Sequence, residues 1–127
     1  MGFASPAADY TETRLSLDNL CKTHAPGVFI ICSETHSVRE GIKPGALLIV
    51  DYGAQPVDGS LVLCVMENVF RIKRLRLYPA AQLQDLDRPG RSHVLPRNDE
   101  DGIEIRGVVT HIVNDARTGE FDNLPVI

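Results

Sequence analysis

The chain has 127 residues, of which 43% are hydrophobic and 24% are charged, and its formal net charge is −4 at pH 7. A chain of this length forms one domain with a modest core. Its negative charge argues against binding nucleic acid through its own electrostatic field. No apolar run reaches the roughly 20 residues that span a bilayer, and the N-terminus lacks the regions of a secretory signal, so we expect a soluble, cytoplasmic protein.

The first predicted element is a short helix. Residues 1–14 show no hydrophobic period and are interpreted as a flexible N-terminal arm. Residues 15–23 space their apolar side chains at helical intervals, with Ser16 as the candidate N-cap. The Ala-Pro-Gly sequence at residues 25–27 is expected to end this helix.

Apolar runs rich in β-branched residues predict strands, separated by turns that contain Gly or Pro. Residues 84–102 are interpreted as mostly loop, and Gly107 is expected to mark a bulge or bend. Alternation of Leu with polar residues at 82–86 favours one more strand. The predicted strands are residues 28–33, 47–51, 61–66, 69–78 and 103–113, with a weak strand at 92–95.

These elements predict a mainly β fold, a small and mostly antiparallel domain with one short helix. We expect the domain to span residues 15–113, between the arm of residues 1–14 and a C-terminal tail of residues 114–127. A basic cluster within residues 70–78 is interpreted as a solvated strand face. Its members are Arg71, Lys73, Arg74 and Arg76.

The cysteines and histidines were considered as a disulfide framework and as a metal site. Three widely spaced cysteines argue against disulfides, and Cys32 and Cys64, which lie in apolar runs, are predicted to be buried free thiols. Cys21-x-x-His24 and Cys32-x3-His36 have ligand-like spacing, but no matching second pair follows. The sequence therefore predicts no metal and no cofactor.

A family resemblance extends over most of the chain. Residues 27–75, GVFIICSETHSVREGIKPGALLIVDYGAQPVDGSLVLCVMENVFRIKRL, resemble without a gap the peptidase domain of the LexA/UmuD serine–lysine autopeptidase family. GVVTHIV continues the resemblance to about residue 113. Residues 2–20, GFASPAADYTETRLSLDNL, are similar to the segment that directly follows the self-cleavage bond of UmuD. The resemblance is thus greatest to the processed form, UmuD′, and implies a β-clip fold.

The resemblance also implies a catalytic pair. In this family a neutral lysine acts as general base for a serine hydroxyl, and a lysine stays neutral only in an apolar setting. Lys73 lies in the matching F-x-[IV]-K frame. Residues 34–37 align with the family turn G-D-S-M, which puts His36 at the position of the nucleophile, 37 residues before Lys73 as in the family.

An imidazole cannot replace the missing hydroxyl, because it forms no stable acyl ester. Ser37 is the alternative nucleophile, but neighbouring residues of an extended chain point in opposite directions, so its use requires a slip of one residue. His36 is interpreted as a partly exposed turn residue. Two interpretations of Lys73 stay open: an inherited base without a role, or a strand cation paired with an acid.

Other family positions differ as well. The aspartate after the GIxxG motif is Ala46, and the second Gly-Asp is Gly59-Ser60. Residues 83–90, LQDLDRPG, lack the Pro, Asn and Tyr of the family sequence L-x-P-x-N-x-x-Y. Because those side chains brace turns, the local geometry of residues 84–102 is not predicted.

The resemblance implies three candidate functions. The favoured one is a UmuD′-like, non-catalytic, homodimeric accessory subunit of a UmuC-type translesion polymerase in the bacterial SOS response, with the RecA–DNA filament as a further partner. Its binding surfaces would be the arm and the strands around residues 69–78 and 103–113. It is favoured because the nucleophile is missing and because we expect the chain to begin where the processed form begins.

The second candidate is an active peptidase that uses Ser37 and Lys73. The third is a regulator that titrates a resident UmuD or LexA homologue. The sequence has no helix-turn-helix before the domain, so direct binding to a specific DNA sequence is not expected.

Overall fold

The computed structural model of the protein describes residues 15–95 and 102–117. The predicted arm, residues 1–14, and residues 118–127 of the predicted tail lie outside the described residues. The elements are α1 (Leu17–Cys21), β1 (Val28–Cys32), β2 (Leu47–Asp51), β3 (Leu61–Met66), β4 (Val69–Arg76), β5 (Gln82–Gln84), β6 (Ser92–Val94) and β7 (Glu104–Val113).

Helix α1 begins as the sequence predicts. Ser16 has extended backbone angles and its side chain accepts a hydrogen bond from the N–H of Asn19 at 3.3 Å, so its prediction as N-cap is confirmed. The helix ends before the Ala-Pro-Gly sequence, because Lys22 adopts a left-handed conformation with φ of 56°. None of its residues is buried. No helix in the described part of the chain is long and apolar enough to cross a membrane.

The strands form one sheet of seven, in the order β1-β2-β7-β3-β4-β5-β6, and each neighbouring pair is antiparallel. The predicted mainly β, antiparallel fold is confirmed. Strands β3 and β4 form a hairpin around Glu67 and Asn68, whose φ angles of 53° and 65° suit a two-residue turn that follows the strand twist.

Two apolar clusters cover the two faces of the sheet centre. Alternate residues of β3 enter different clusters, because successive side chains of a strand point to opposite faces. Leu61 and Leu63 belong to the first cluster, whereas Val62 and Cys64 belong to the second. The other buried members of the first are Ile42, Ala46, Leu48, Val50 and Val109, and those of the second are Leu75 and Leu83.

Strand β7 carries the predicted irregularity at Gly107. The pairing register of β7 with β3 shifts between Leu63, which faces Gly107, and the next residue of β3. A Cβ at Gly107 would lie 2.7 Å from Tyr52 Cδ1 and 2.8 Å from Val50 Cγ1. Glycine is thus needed here because the neighbouring strand approaches the backbone too closely for a side chain.

The expected exposure was wrong for one cysteine and for two residues of the basic cluster. Cys32 is exposed, because β1 is an edge strand and much of it is left uncovered. Cys64 is buried as predicted, and its burial raises the pKa of the thiol to about 11. The basic cluster is only partly a solvated face: Arg71 and Arg76 are exposed, whereas the side chains of Lys73 and Arg74 are only 17% and 25% exposed and both form ion pairs.

The close approach at Gly107 leads to a stability prediction. Gly107→Ala should lower the free energy of unfolding by about 2 kcal/mol, because the added methyl group overlaps neighbouring strand atoms. Gly90→Ala is the matched control, since a Cβ at Gly90 has open space around it. Urea unfolding followed by circular dichroism measures both, and equal losses would contradict the prediction.

Candidate functional site

An open cavity of about 800 Å³ contains the predicted catalytic positions. The segment of residues 31–36, which begins in β1 and continues into the following loop, forms one wall, and residues 68–73 at the start of β4 form another. Residues 85–87, just after β5, complete the lining together with side chains of β2 and β3. His36 and Lys73 both line this cavity, although 37 residues separate them in the sequence.

The loop that holds His36 is fixed at both ends by backbone hydrogen bonds. The N–H of Ser33 donates to the carbonyl of Ala46 at 2.7 Å. Ser37 and Ile42 exchange two backbone hydrogen bonds of 2.8 Å each. Between these anchors His36 is exposed and borders the cavity, so the position that the resemblance assigns to the nucleophile faces open space.

Ser37 lies inside the loop. Its side chain is fully buried, and its Oγ donates to Asp87 Oδ1 at 2.7 Å while accepting a hydrogen bond from the N–H of Glu40 at 3.1 Å. The hydroxyl thus donates its proton to Asp87 and accepts one hydrogen bond from its own loop. In this geometry Ser37 braces the loop, and its role as an alternative nucleophile stays a prediction.

Asp87 is the ionised partner of that hydroxyl. Its limited burial raises the pKa of the carboxyl, but the hydrogen bond from Ser37 and those from the backbone N–H groups of Arg39 and Val38 outweigh this effect. The charge of the nearby His36 acts in the same direction as these hydrogen bonds. The pKa of Asp87 therefore lies below its ordinary value, and the carboxylate form holds the loop.

Lys73 projects from β4 towards the cavity and forms an ion pair with Asp85. The side chains of Lys73 and Asp85 are 17% and 35% exposed. Of the two interpretations left open by the sequence, the paired strand cation is the arrangement in the structure. A general base needs a free lone pair within reach of the proton it takes, and in this arrangement the amine of Lys73 is directed at Asp85.

The next residue of β4, Arg74, braces the loop between β1 and β2 through Glu40. It forms an ion pair with Glu40 and donates from Nη1 to the carbonyl of Gly59 at 2.8 Å. Residues 69–73 of β4 line the cavity, whereas Arg74 lies beyond its lining.

Asp85 and Asp87 were missed by the sequence analysis. They lie within residues 83–90, where the family motif is lost and no local geometry was predicted. One signal was available: two acids separated by a single apolar residue, Leu86, point to the same side of an extended chain. No group of His, Cys, Asp and Glu side chains within residues 15–95 and 102–117 has an arrangement that would hold a metal ion.

Comparisons with known proteins agree with the fold. Residues 1–110 match the protein family described as Peptidase S24-like. The protein ImpA of Salmonella typhimurium is 35% identical over 118 residues, which cover 91% of this chain and 79% of ImpA. The protein SamA of Salmonella typhimurium is 33% identical over 92% of this chain and 81% of SamA. The protein MucA of Escherichia coli is 32% identical over 87% of this chain and 75% of MucA.

The lowered pKa of Asp87 predicts how stability depends on pH. A carboxyl with a depressed folded-state pKa contributes stability above its ordinary value of 3.8 and loses that contribution as pH falls through the lower folded-state value. Asp87→Asn should therefore destabilise the protein at about pH 7, and the difference from wild type should shrink as the pH falls below 3.8. Urea unfolding across this range measures the effect, and a difference independent of pH would contradict it.

Proposed function

Because the chain belongs to the S24 peptidase-like family, we propose that it is a UmuD-like, non-catalytic accessory subunit of a UmuC-type translesion polymerase in the bacterial SOS response. One combination of features in the cavity carries the proposal. His36 occupies the position of the nucleophile, and Lys73 forms an ion pair with Asp85. The fold and the cavity are present, whereas His36 carries no hydroxyl and the amine of Lys73 is engaged by Asp85.

The candidate site supports binding more than hydrolysis. Acyl transfer to an enzyme requires a nucleophile at the cavity surface and a base within hydrogen-bond reach of it. His36 faces the cavity without an oxygen nucleophile, and the hydroxyl of Ser37 is buried in the loop. Catalysis by Ser37 and Lys73 would require the loop to release two hydrogen bonds of that hydroxyl and shift by one residue.

The pairing of β7 supports a homodimer. This strand pairs with β3 through Glu104–Val108 and with β2 through Val108–Val113. On the β3 side, residues 109–113 have no partner strand among the described residues, which leaves hydrogen-bonding groups open to another chain. A second copy adding its own β7 antiparallel at this half would extend the sheet in both subunits.

Strand β4 supports a binding surface for the polymerase. Residues 69–73 of β4 pair with β3 along one edge, and β5 pairs with the other edge of β4 only from Arg74 onwards. In the described part of the chain, that other edge of residues 69–73 has no partner strand. Val69 and Phe70 are 48% and 63% exposed beside it. An extended apolar segment of a partner can add to such an edge by main-chain hydrogen bonds. The RecA–DNA filament is a further partner that the resemblance implies.

The dimer mode has a direct test at Val113, which is exposed in the open half of β7. Val113→Lys should raise the dimer dissociation constant about tenfold, because a lysine in the open half of β7 opposes strand addition. Val94→Lys is the matched control, since Val94 is exposed in β6 at the far edge of the sheet. Sedimentation equilibrium measures both, and a wild-type chain that stays monomeric at micromolar concentration would exclude the dimer.

The function itself is tested by two measurements on the full chain. The tagged protein should co-purify with a co-expressed UmuC-like polymerase, and it should leave full-length UmuD and LexA intact during incubation at alkaline pH. Failure to co-purify would contradict the proposal. So would cleavage of either substrate that disappears in both Ser37→Ala and Lys73→Ala, because that result would establish a serine–lysine peptidase.

A further inference from the structure

One three-residue segment contacts both side chains that could still take part in catalysis. Residues 85–87 follow β5 directly and line the cavity. Asp85 is paired with Lys73, and Asp87 accepts the hydrogen bond of the Ser37 hydroxyl. The residue between them, Leu86, packs against the first core cluster, which fixes the segment in place.

We propose that residues 85–87 form an acidic clasp that disables the candidate site independently of His36. Within the acidic clasp, Asp85 holds Lys73 as a charged, hydrogen-bonded ammonium group. Asp87 holds the hydroxyl of Ser37 inside the loop. The inference rests on the proposed non-catalytic function and adds that restoring a nucleophile alone would not restore the activity.

The backbone around the acidic clasp is held by its own hydrogen bonds. The N–H of Asp85 donates to the carbonyl of Arg91 at 2.9 Å, and the N–H of Arg91 donates to the carbonyl of Arg88 at 2.8 Å. The N–H of Arg39 reaches Asp87 Oδ1 at 3.0 Å from the opposite wall. The two carboxylates are therefore pre-organised, so little conformational entropy is lost when they engage their partners.

Asp85 acts on Lys73 through charge as well as position. A carboxylate in contact with an amine favours the protonated amine, which has no lone pair for accepting a proton. The carboxylate is about one third exposed, so solvent screens part of this effect.

The alternative is that the Lys73–Asp85 pair only stabilises the fold. The reactivity of the Lys73 amine separates the two, because acylating reagents attack only the neutral amine. The comparison uses wild-type protein, Asp85→Asn, the charge-conserving Asp85→Glu, and Glu40→Gln as matched control. Glu40 is the carboxylate paired with the neighbouring Arg74 of β4.

Each protein is treated with limiting acetic anhydride at a fixed mildly alkaline pH, and acetylation of Lys73 is quantified by mass spectrometry relative to the exposed Lys22 of the same molecule. Asp85→Asn should raise the relative rate at Lys73 about fivefold, whereas Asp85→Glu and Glu40→Gln should match wild type. An unchanged rate in Asp85→Asn, with a native circular dichroism spectrum, overturns the proposal.

A second measurement tests whether the acidic clasp blocks chemistry. With a fluorophosphonate probe, the hydroxyl introduced by His36→Ser would form an O–P bond, the P–F bond would break and fluoride would leave, while the hydroxyl proton would pass to Lys73 Nζ. That transfer needs a neutral Lys73. His36→Ser combined with Asp85→Asn should therefore label several-fold faster than His36→Ser alone, and adding Lys73→Ala should abolish the gain.

Equal labelling of the single and double variants, at any level, overturns the proposal. Neither measurement involves the dimer or the polymerase. A failure of the acidic clasp is thus distinguishable from a failure of the proposed function, which would be detected by sedimentation and co-purification.

Discussion

The structure depends on the pairing of β7 with two strands that do not pair with each other. Strands β1 and β2 form one hairpin, and β3 to β6 form a meander, and the sheet is continuous only where β7 lies between β2 and β3. The close backbone approach at Gly107 is part of this junction. Because β7 joins the two units, the loop after β1 comes to lie beside β4, and His36 and Lys73 line one cavity.

Most of the fold could be predicted because the strands are encoded by local patterns. Apolar runs and turn residues predict all seven strands to within a few residues, and Gly107 marks the bulge without any knowledge of its neighbours. The exposure of Cys32 could not be predicted in this way. An apolar run indicates a strand, but only the strand order shows that β1 lies at an edge with one neighbour.

The candidate site was predictable only where family motifs persist. The positions of His36 and Lys73 follow from a gapless frame, and the structure brings both to the cavity. Asp85 and Asp87 lie where the motif has been lost, and the contact of Asp87 with Ser37 spans 50 residues of sequence. Contacts of that separation depend on how the loop and the sheet pack, which no local pattern encodes.

The geometry also explains how a nucleophile could be replaced without loss of the fold. The loop is anchored by backbone bonds at Ser33 and Ser37 and by the buried hydroxyl of Ser37, whereas His36 is exposed between these anchors. A change at an exposed position between fixed ends removes no packing. The charged Lys73 then needs a partner, since a largely buried ammonium group is stable only when paired, and Asp85 provides it. The ion pair of Lys73 with Asp85 and the hydrogen bonds of the Ser37 hydroxyl thus stabilise the cavity walls.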